Sequence, residues 1–473
     1  MKKNLVLLTA AVAAVLVACG GNGKEAAPAV GTEAKTEEAR GGMAGAEAAA
    51  ARGDTDQAGA NAETAGSGAA GEKVTVSFWD ENAGDERTEY YQQIIADFEA
   101  ENPDIHIEYL GLSASDALSK YQTAIAAGET PDVGSIASSW SATIVGQGHC
   151  VMLEDLFASW DGAGDMEAGY MDICRTYDKS GKLYVLPTSA NFVCLWANDE
   201  MLKEAGLKAP KSWDEFFDMS EKLTDSQKNQ FGYTIRGGGG SAANFIDLIY
   251  SYLGTNEVFD ENGKTTINCD EAVKFVERYM AMYGRYTPES DITAGFKEIS
   301  ANFDSKVCAM FIHNLGSYGS HVSAFGGTDG FTAYQLPTAA NGTYINYGGS
   351  LTSVCMFDTC ENQEAAWKWM TYLCGHKANS YWNQSIGQLA TNTACYEDPW
   401  MKEMQHIRCA VEATSQENCV TYMSPTYLPE WGTINTTYIE PAIQSVMSGD
   451  MTAKEMMDLW AEYLNEAYAA YRS

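Results

Sequence analysis

The sequence predicts an α/β protein of two lobes, on three observations. Val74-Thr-Val-Ser-Phe-Trp79 alternates apolar and polar residues at period two, the pattern of a strand. Tyr90, Tyr91, Ile94, Ile95 and Phe98 then recur at helical spacing, and a second alternating run, Ile105 to Leu110, follows. Strand, helix and strand at this spacing mean a parallel sheet with helices on its faces. Finally, about 400 residues follow Glu72, more than one core comfortably organises.

The chain opens with a targeting device. Lys2 and Lys3 precede an apolar run, Leu5 to Val17, interrupted only by Thr9. The run is shorter than the roughly 20 apolar residues a bilayer span needs, so it reads as a signal-peptide core. It ends in Leu16-Val-Ala-Cys19, and small residues ahead of a Cys resemble the lipobox of bacterial lipoproteins. In such proteins the Cys carries the lipid and becomes the new N-terminus, which implies removal of residues 1–18 and an acylated Cys19. Residues 20–72 hold no aromatic, no Leu and no Ile. They bury too little apolar area to offset their ordering entropy, so a disordered Ala/Gly-rich tether is expected.

From Lys73 onward each element has a local signal. Asn102-Pro103 stops the first helix. Tyr121 to Ala127 is helical, with Gly128 as its C-cap, and Pro131-Asp-Val133 opens a third strand. Ser212 with Glu215, and Thr452 with Glu455, have the spacing of capping boxes that start helices. Leu186-Pro-Thr188 recurs as Leu336-Pro-Thr338, each after a strand-like run. On the residues alone this repetition reads as coincidence between two strand ends.

Composition excludes several functions. The chain has 30 Lys and Arg against 64 Asp and Glu, a formal net charge of −34. Phosphate backbones and anionic lipid surfaces need basic faces, so neither nucleic acid nor a polybasic lipid contact is expected. Aromatics reach 11%, too many for a disordered acidic chain. Six His leave little material for a multi-His metal site. Eleven Cys follow Cys19, an odd number that cannot all pair within one chain, and there is no Cys-x-x-Cys. Several, such as Cys194, Cys308 and Cys374, lie in apolar runs, so mostly free thiols and no metal or other cofactor are expected. The chain lacks Gly-x-Ser-x-Gly, His-Glu-x-x-His and Walker motifs. Arg236-Gly-Gly-Gly-Gly-Ser-Ala-Ala243 satisfies a dinucleotide fingerprint trivially, because four consecutive glycines meet any such spacing. It reads as a plain flexible turn.

An ordered set of segments resembles a known family. Phe78-Trp-Asp-Glu-Asn82 and Phe98-Glu-Ala-Glu-Asn-Pro103 open it. Tyr121-Gln-Thr-Ala-Ile-Ala-Ala-Gly128, followed by Pro131-Asp-Val133, is its most specific stretch. Gly181-Lys-Leu-Tyr-Val-Leu-Pro187, Pro210-Lys-Ser-Trp-Asp-Glu215, Phe303-Asp-Ser-Lys-Val-Cys-Ala-Met310 and Gly348-Gly349 continue it. Ala197-Asn-Asp199 departs from the family's usual Tyr-Asn-Lys. Together they resemble extracellular solute-binding proteins of ABC importers, in the carbohydrate-binding, maltose-binding-protein-like branch.

The resemblance implies a type II periplasmic-binding-protein-like clamp joined by crossing strands, with ligand held between the lobes. One lobe is expected at 73–187 with 333–376, the other at 188–332 with 377–473. The Leu-Pro-Thr pair would then mark two crossings, with hinges at Pro187 and Pro337. The expected partners are a carbohydrate, the transmembrane subunits of an ABC permease, and the outer face of the cytoplasmic membrane through the lipid on Cys19. A monomer without enzymatic activity is implied. The rivals are a polyamine or other small-solute receptor of the same fold, a sensory receptor, and a secreted glycosidase, which needs only two carboxylates.

A pyranose presents hydroxyls at its rim and C–H groups on its faces, so its site wants carboxylates, amides and aromatic rings. Asp80, Glu81 and Asn82 follow the first strand, at the edge where α/β sheets place ligands, and Ser139 and Trp140 follow the third. Asn191 lies at the first expected crossing, Asn244 after the glycine run, and His313 and Asn314 after the strand Ala309 to Ile312. Gly349, Tyr427 and Trp431 complete the candidates. Only Arg236 supplies a cation nearby, so a neutral oligosaccharide is expected over an anion.

Overall fold

The computed structural model describes residues 73–473, apart from 115, 348 and 349. The expectations for the signal peptide, the tether, Cys19 and Gly349 lie outside the described residues. Among the described residues, eleven strands form three sheets. The first has the order β2-β1-β3-β10-β4, built from β1 (Val74–Asp80), β2 (Ile105–Gly111), β3 (Val133–Ala137), β4 (Val185–Ala190) and β10 (Leu351–Met356). β1 pairs in parallel with β2 and β3, as the strand–helix–strand signal predicts. β10 runs antiparallel to both β3 and β4.

The second sheet has the order β6-β7-β5-β8, from β5 (Val193–Asn198), β6 (Phe231–Tyr233), β7 (Cys308–Asn314) and β8 (Phe331–Tyr334). β6 and β7 are parallel, while β5 runs antiparallel to β7 and β8. A parallel two-stranded ribbon joins β9 (Tyr344–Tyr347) to β11 (Cys419–Tyr422).

Local chemistry accounts for the helix ends. The helix Asp85–Glu101 stops before Pro103, and Asn102 caps it by donating from its backbone to the Phe98 carbonyl. Gly128 closes the helix Ala117–Ala127 at φ +69°, a conformation that costs a side chain but not glycine. Thr452 and Glu455 form the full capping box of the helix Ala453–Arg472. Ser212 accepts from the Glu215 N–H, but the Glu215 carboxylate reaches the Lys211 N–H instead, so only half of that box forms.

The first sheet's core is aromatic. Phe78 meets Trp369 edge-on at 5.5 Å, and Tyr91 lies 4.1 Å from Trp382. The second sheet's core gathers Phe216, Tyr233, Phe275 and Tyr279, with the Tyr279 hydroxyl donating to that of Tyr233. All eleven cysteines among the described residues are unpaired, and eight are buried. Burial holds the Cys174 and Cys374 thiols well above their usual range, so they remain protonated.

The expected lobe boundaries and hinges are displaced. β8 belongs wholly to the second sheet, so a boundary at 332/333 cuts through it. The helix His376–Ile386 packs on the first sheet's helix Asp85–Glu101, where Lys377 pairs with Asp97 and Glu101 and Trp382 meets Tyr91. A boundary at 376/377 therefore falls inside one packed unit. Pro187 lies within β4, opposite Ser353 of β10, and the chain changes sheet only at Asn191–Phe192. Proline is tolerated there because β4 is an edge strand. Pro337 precedes Thr338, which bridges to Ser212, and the chain reaches the first sheet only at Leu351. Neither proline stands where the chain crosses.

Candidate functional site

A cavity of about 200 Å³ opens between the two sheets. The first sheet supplies Ser138 and Ser139, in the first turn of the helix that follows β3, and Ser350, just before β10. The second supplies Val193 at the start of β5, and His313 and Asn314 at the end of β7. These are neighbours by register, since Val193 pairs with Asn314 and Cys194 with His313. Arg236, Gly240, Asn244 and Asp247 come from the glycine run and the helix Ser241–Leu253. Asn244 and Asp247 stand three residues apart, so both project from one face. The ribbon adds Tyr347 and Tyr422, direct partners in its register, and the chain beyond adds Ser424, Thr426 and Trp431.

Asp247 is the most perturbed carboxylate on this wall. Ser424 donates to it at 2.8 Å, and Tyr347 donates to its backbone carbonyl at 2.6 Å. Burial raises the carboxyl to about 7, and the Ser424 hydroxyl only partly offsets that. The group therefore stands ready to ionise when a ligand brings donors. His313 stacks on Phe296 at 4.2 Å. Burial lowers it to about 3, so the ring is a neutral donor and acceptor rather than a cation.

Arg236 is committed internally. Its Nε donates to the Gly239 carbonyl at 2.7 Å, and the carboxylates of Glu440 and Glu298 act on it against the cost of burial. The glycine run is a packed turn rather than a loose one. Gly237 donates to the Asp291 carbonyl, Gly238 to that of Ala294, and Gly240 to the Glu440 carboxylate at 2.6 Å. A Cβ on Gly237 would sit 2.5 Å from the Asp291 carbonyl, and one on Gly240, at φ +79°, 2.1 Å from the Arg236 guanidinium. Gly237, Gly238 and Gly240 are required because backbone and guanidinium approach so closely.

Of the sequence-derived candidates, Ser139, Asn244, His313, Asn314 and Trp431 line this cavity. Asp80, Glu81 and Asn82 do not. Asp80 is buried, accepting from the Tyr109 hydroxyl at 3.0 Å and the Asn82 N–H at 3.3 Å. Glu81 is buried too and is raised to about 7 by that burial, with Arg87 acting the other way. Trp140 turns from the cavity to pack on Tyr121 at 5.6 Å. Tyr427 packs on Tyr471 at 5.1 Å, in a separate depression. Asn191 lies at the change of sheet, where its N–H donates to the Ser350 carbonyl, and its Oδ1 is buried without a protein partner.

Sequence reasoning missed Asp247, Tyr347, Tyr422 and Ser424. Asp247 had a signal, its spacing of three from Asn244. The tyrosines had none, because the ribbon that carries them joins segments more than 70 residues apart.

The chain matches the family model described as bacterial extracellular solute-binding protein over residues 84–380. A Brucella abortus relative, a binding protein by designation, is 26% identical over 69% of this chain and 78% of its own. The arabinooligosaccharide-binding protein of Bacillus subtilis is 25% identical over 46% of this chain and 49% of its own. Among solved structures, the GacH receptor of Streptomyces glaucescens, known unliganded and with acarbose, superposes with a TM-score of 0.72. It is 20% identical and covers 84% of this chain and 99% of its own. A solute-binding protein of Thermotoga lettingae bound to α-D-tagatose superposes equally well, at 20% identity over 84% of this chain and all of its own. These likenesses show a two-lobed fold whose sheets are flanked by helices. With more than half its length matched, the chain belongs to the bacterial extracellular solute-binding proteins, a family of substrate-binding proteins and not of enzymes.

Proposed function

We propose that this protein captures a neutral sugar, polyol or short oligosaccharide between its two lobes and delivers it to an ABC permease, anchored to the outer face of the membrane by a lipid on Cys19. The observation that carries the reading is the make-up of the cavity between the sheets. It combines a poised carboxylate, two asparagines, several hydroxyls and a neutral imidazole with the rings of Tyr347, Tyr422 and Trp431. That is what a pyranose or polyol demands, acceptors and donors for its rim and apolar faces for its C–H groups.

The charges favour a neutral ligand. Arg236 is already offset by two carboxylates, so it is a poor partner for an anion. The relative named for arabinooligosaccharide and the neighbour bound to tagatose agree with this reading. The anchoring rests on the Leu16-Val-Ala-Cys19 run.

Calorimetry of the mature protein against mannitol, tagatose, malto-, xylo- and arabino-oligosaccharides and spermidine tests the assignment. Saturable binding of at least one sugar or polyol is expected. Tight spermidine binding with no response to any sugar would sink it. Anchoring is checked separately. Cys19→Ser should move the protein from the membrane fraction to the soluble one, and an unchanged distribution would refute the lipid.

A further inference from the structure

A second cavity, about 840 Å³, lies on the other face of the β9–β11 ribbon. Side chains alternate across a strand. Tyr347 and Tyr422 therefore face the cavity between the sheets, while Asn346, Thr421 and Cys419 face this one. Its remaining walls come from both halves of the molecule. Ile173 belongs to the helix Ala168–Arg175, which packs on β4 of the first sheet, and Thr176 is the C-cap of that helix. Val411 and Thr414 belong to the helix Gln405–Thr414, which packs on β8 of the second.

The lining is amphipathic. Leu389, Met401 and Met423 contribute apolar surface. Glu167, Tyr170 and Tyr396 line it too, near enough for the carboxylate to act on both phenols. Glu167 caps its helix through the Gly169 N–H at 3.3 Å. Burial and that carboxylate push both phenols up, so each keeps its proton and remains a donor. Tyr396 and Val411 are two of only six large apolar side chains left more than a third exposed among the described residues. Lys402, the cation on this wall, is engaged by Glu397 at 2.8 Å.

We propose that this cavity is a second binding site, separate from the one between the sheets, for a neutral polyhydroxylated ligand of the carbohydrate or polyol class. Phenol donors and a carboxylate acceptor in one cavity with apolar side chains suit a molecule that presents both hydroxyls and C–H groups. An anion finds its cation already paired, and the volume exceeds that of the first cavity, so a unit at least as large fits.

Mannitol and maltotriose serve as probes, followed by saturation-transfer NMR on the mature protein. Three variants separate the sites. Trp431→Ala removes a wall of the first cavity only. Tyr396→Ala removes a donor and ring of the second. Val411→Arg places a charge at the second cavity's mouth, on a residue exposed enough to leave folding intact. The expected result is a transfer signal from at least one probe that persists in Trp431→Ala and falls at least 5-fold in Val411→Arg. Tyr396→Ala should reproduce that fall, with an unchanged circular dichroism spectrum. A signal abolished by Trp431→Ala and indifferent to Val411→Arg would overturn the proposal. So would silence from both probes at millimolar concentration, or competition of the residual signal by spermidine. Failure of the first site alone leaves this test standing, because its readout is taken in Trp431→Ala.

Discussion

Asp247 is the residue whose chemistry the cavity changes most. Its carboxyl is raised to about 7 by burial, above the roughly 3.9 of an unfolded chain. In the free protein it is largely protonated below pH 7. A ligand whose hydroxyls donate to the carboxylate binds the ionised form and releases the proton. Affinity should therefore rise by up to about 10-fold per pH unit below pH 7 and level off above it. Calorimetry at pH 5.5, 6.5 and 8 checks this, and Asp247→Asn should be weaker and flat with pH. The same residue works against folding in the opposite direction, since ionising it costs stability as pH rises from about 4 to 7. The two tryptophans among the candidates should behave differently. Trp431→Ala should weaken a bound sugar by roughly 30-fold, the equivalent of about 2 kcal/mol for a stacking contact at a site's centre. Trp140 packs on Tyr121 instead. Trp140→Ala should destabilise the fold by about 3 kcal/mol in urea titration and leave the affinity of the folded fraction unchanged.

At the scale of elements, the segment between β6 and the helix Ser241–Leu253 positions more of the site than any other. Gly237, Gly238 and Gly240 let the chain pass beneath the Asp291 and Thr293 carbonyls and around the Arg236 guanidinium. This sets the first turn of the helix that carries Asn244 and Asp247. Gly237→Ala would drive a methyl to 2.5 Å from a backbone oxygen that cannot retreat. A loss of about 2 kcal/mol or more is expected, read as a lowered denaturant midpoint, together with weaker ligand binding. A mutant of wild-type stability would show that the turn is looser than its packing suggests. The ribbon of β9 and β11 is the other positioning element. It places Tyr347 and Tyr422 side by side and brings Ser424 onto Asp247, so it links the second sheet's helix to the chain that follows.

For the whole molecule, the site takes walls from two sheets joined at only a few crossings. The first passes through Asn191 and Phe192, and Leu389 pairs by backbone with Ala190 beside it. A ligand that touches Ser139 on one side and Asn314 on the other stabilises the approach of the two sheets. Small-angle scattering should show a smaller radius of gyration with saturating ligand than without. An unchanged radius at saturation would remove the clamp and leave only binding. Variants at Asn191 should change this compaction more than variants at Pro187 or Pro337, since neither proline stands at a crossing.

Residue order alone determined the α/β class, the start and stop of individual helices, and those residues lining the candidate site that follow strand ends. Ser139, His313 and Asn314 were legible because a sheet presents its ligand at the edge where its strands end, and strand ends carry a period-two signal. Asp80 and Glu81, chosen on the same rule, are buried outside this cavity, because position at an edge does not say which way a side chain turns. The distant Tyr109 hydroxyl holds Asp80 inward, and the Arg87 charge acts on Glu81. The sheet boundaries, the true crossings, the ribbon and the poised state of Asp247 were decided only by tertiary structure. Each depends on pairing between segments far apart in the chain, and on burial that exists only once both sheets have closed around it.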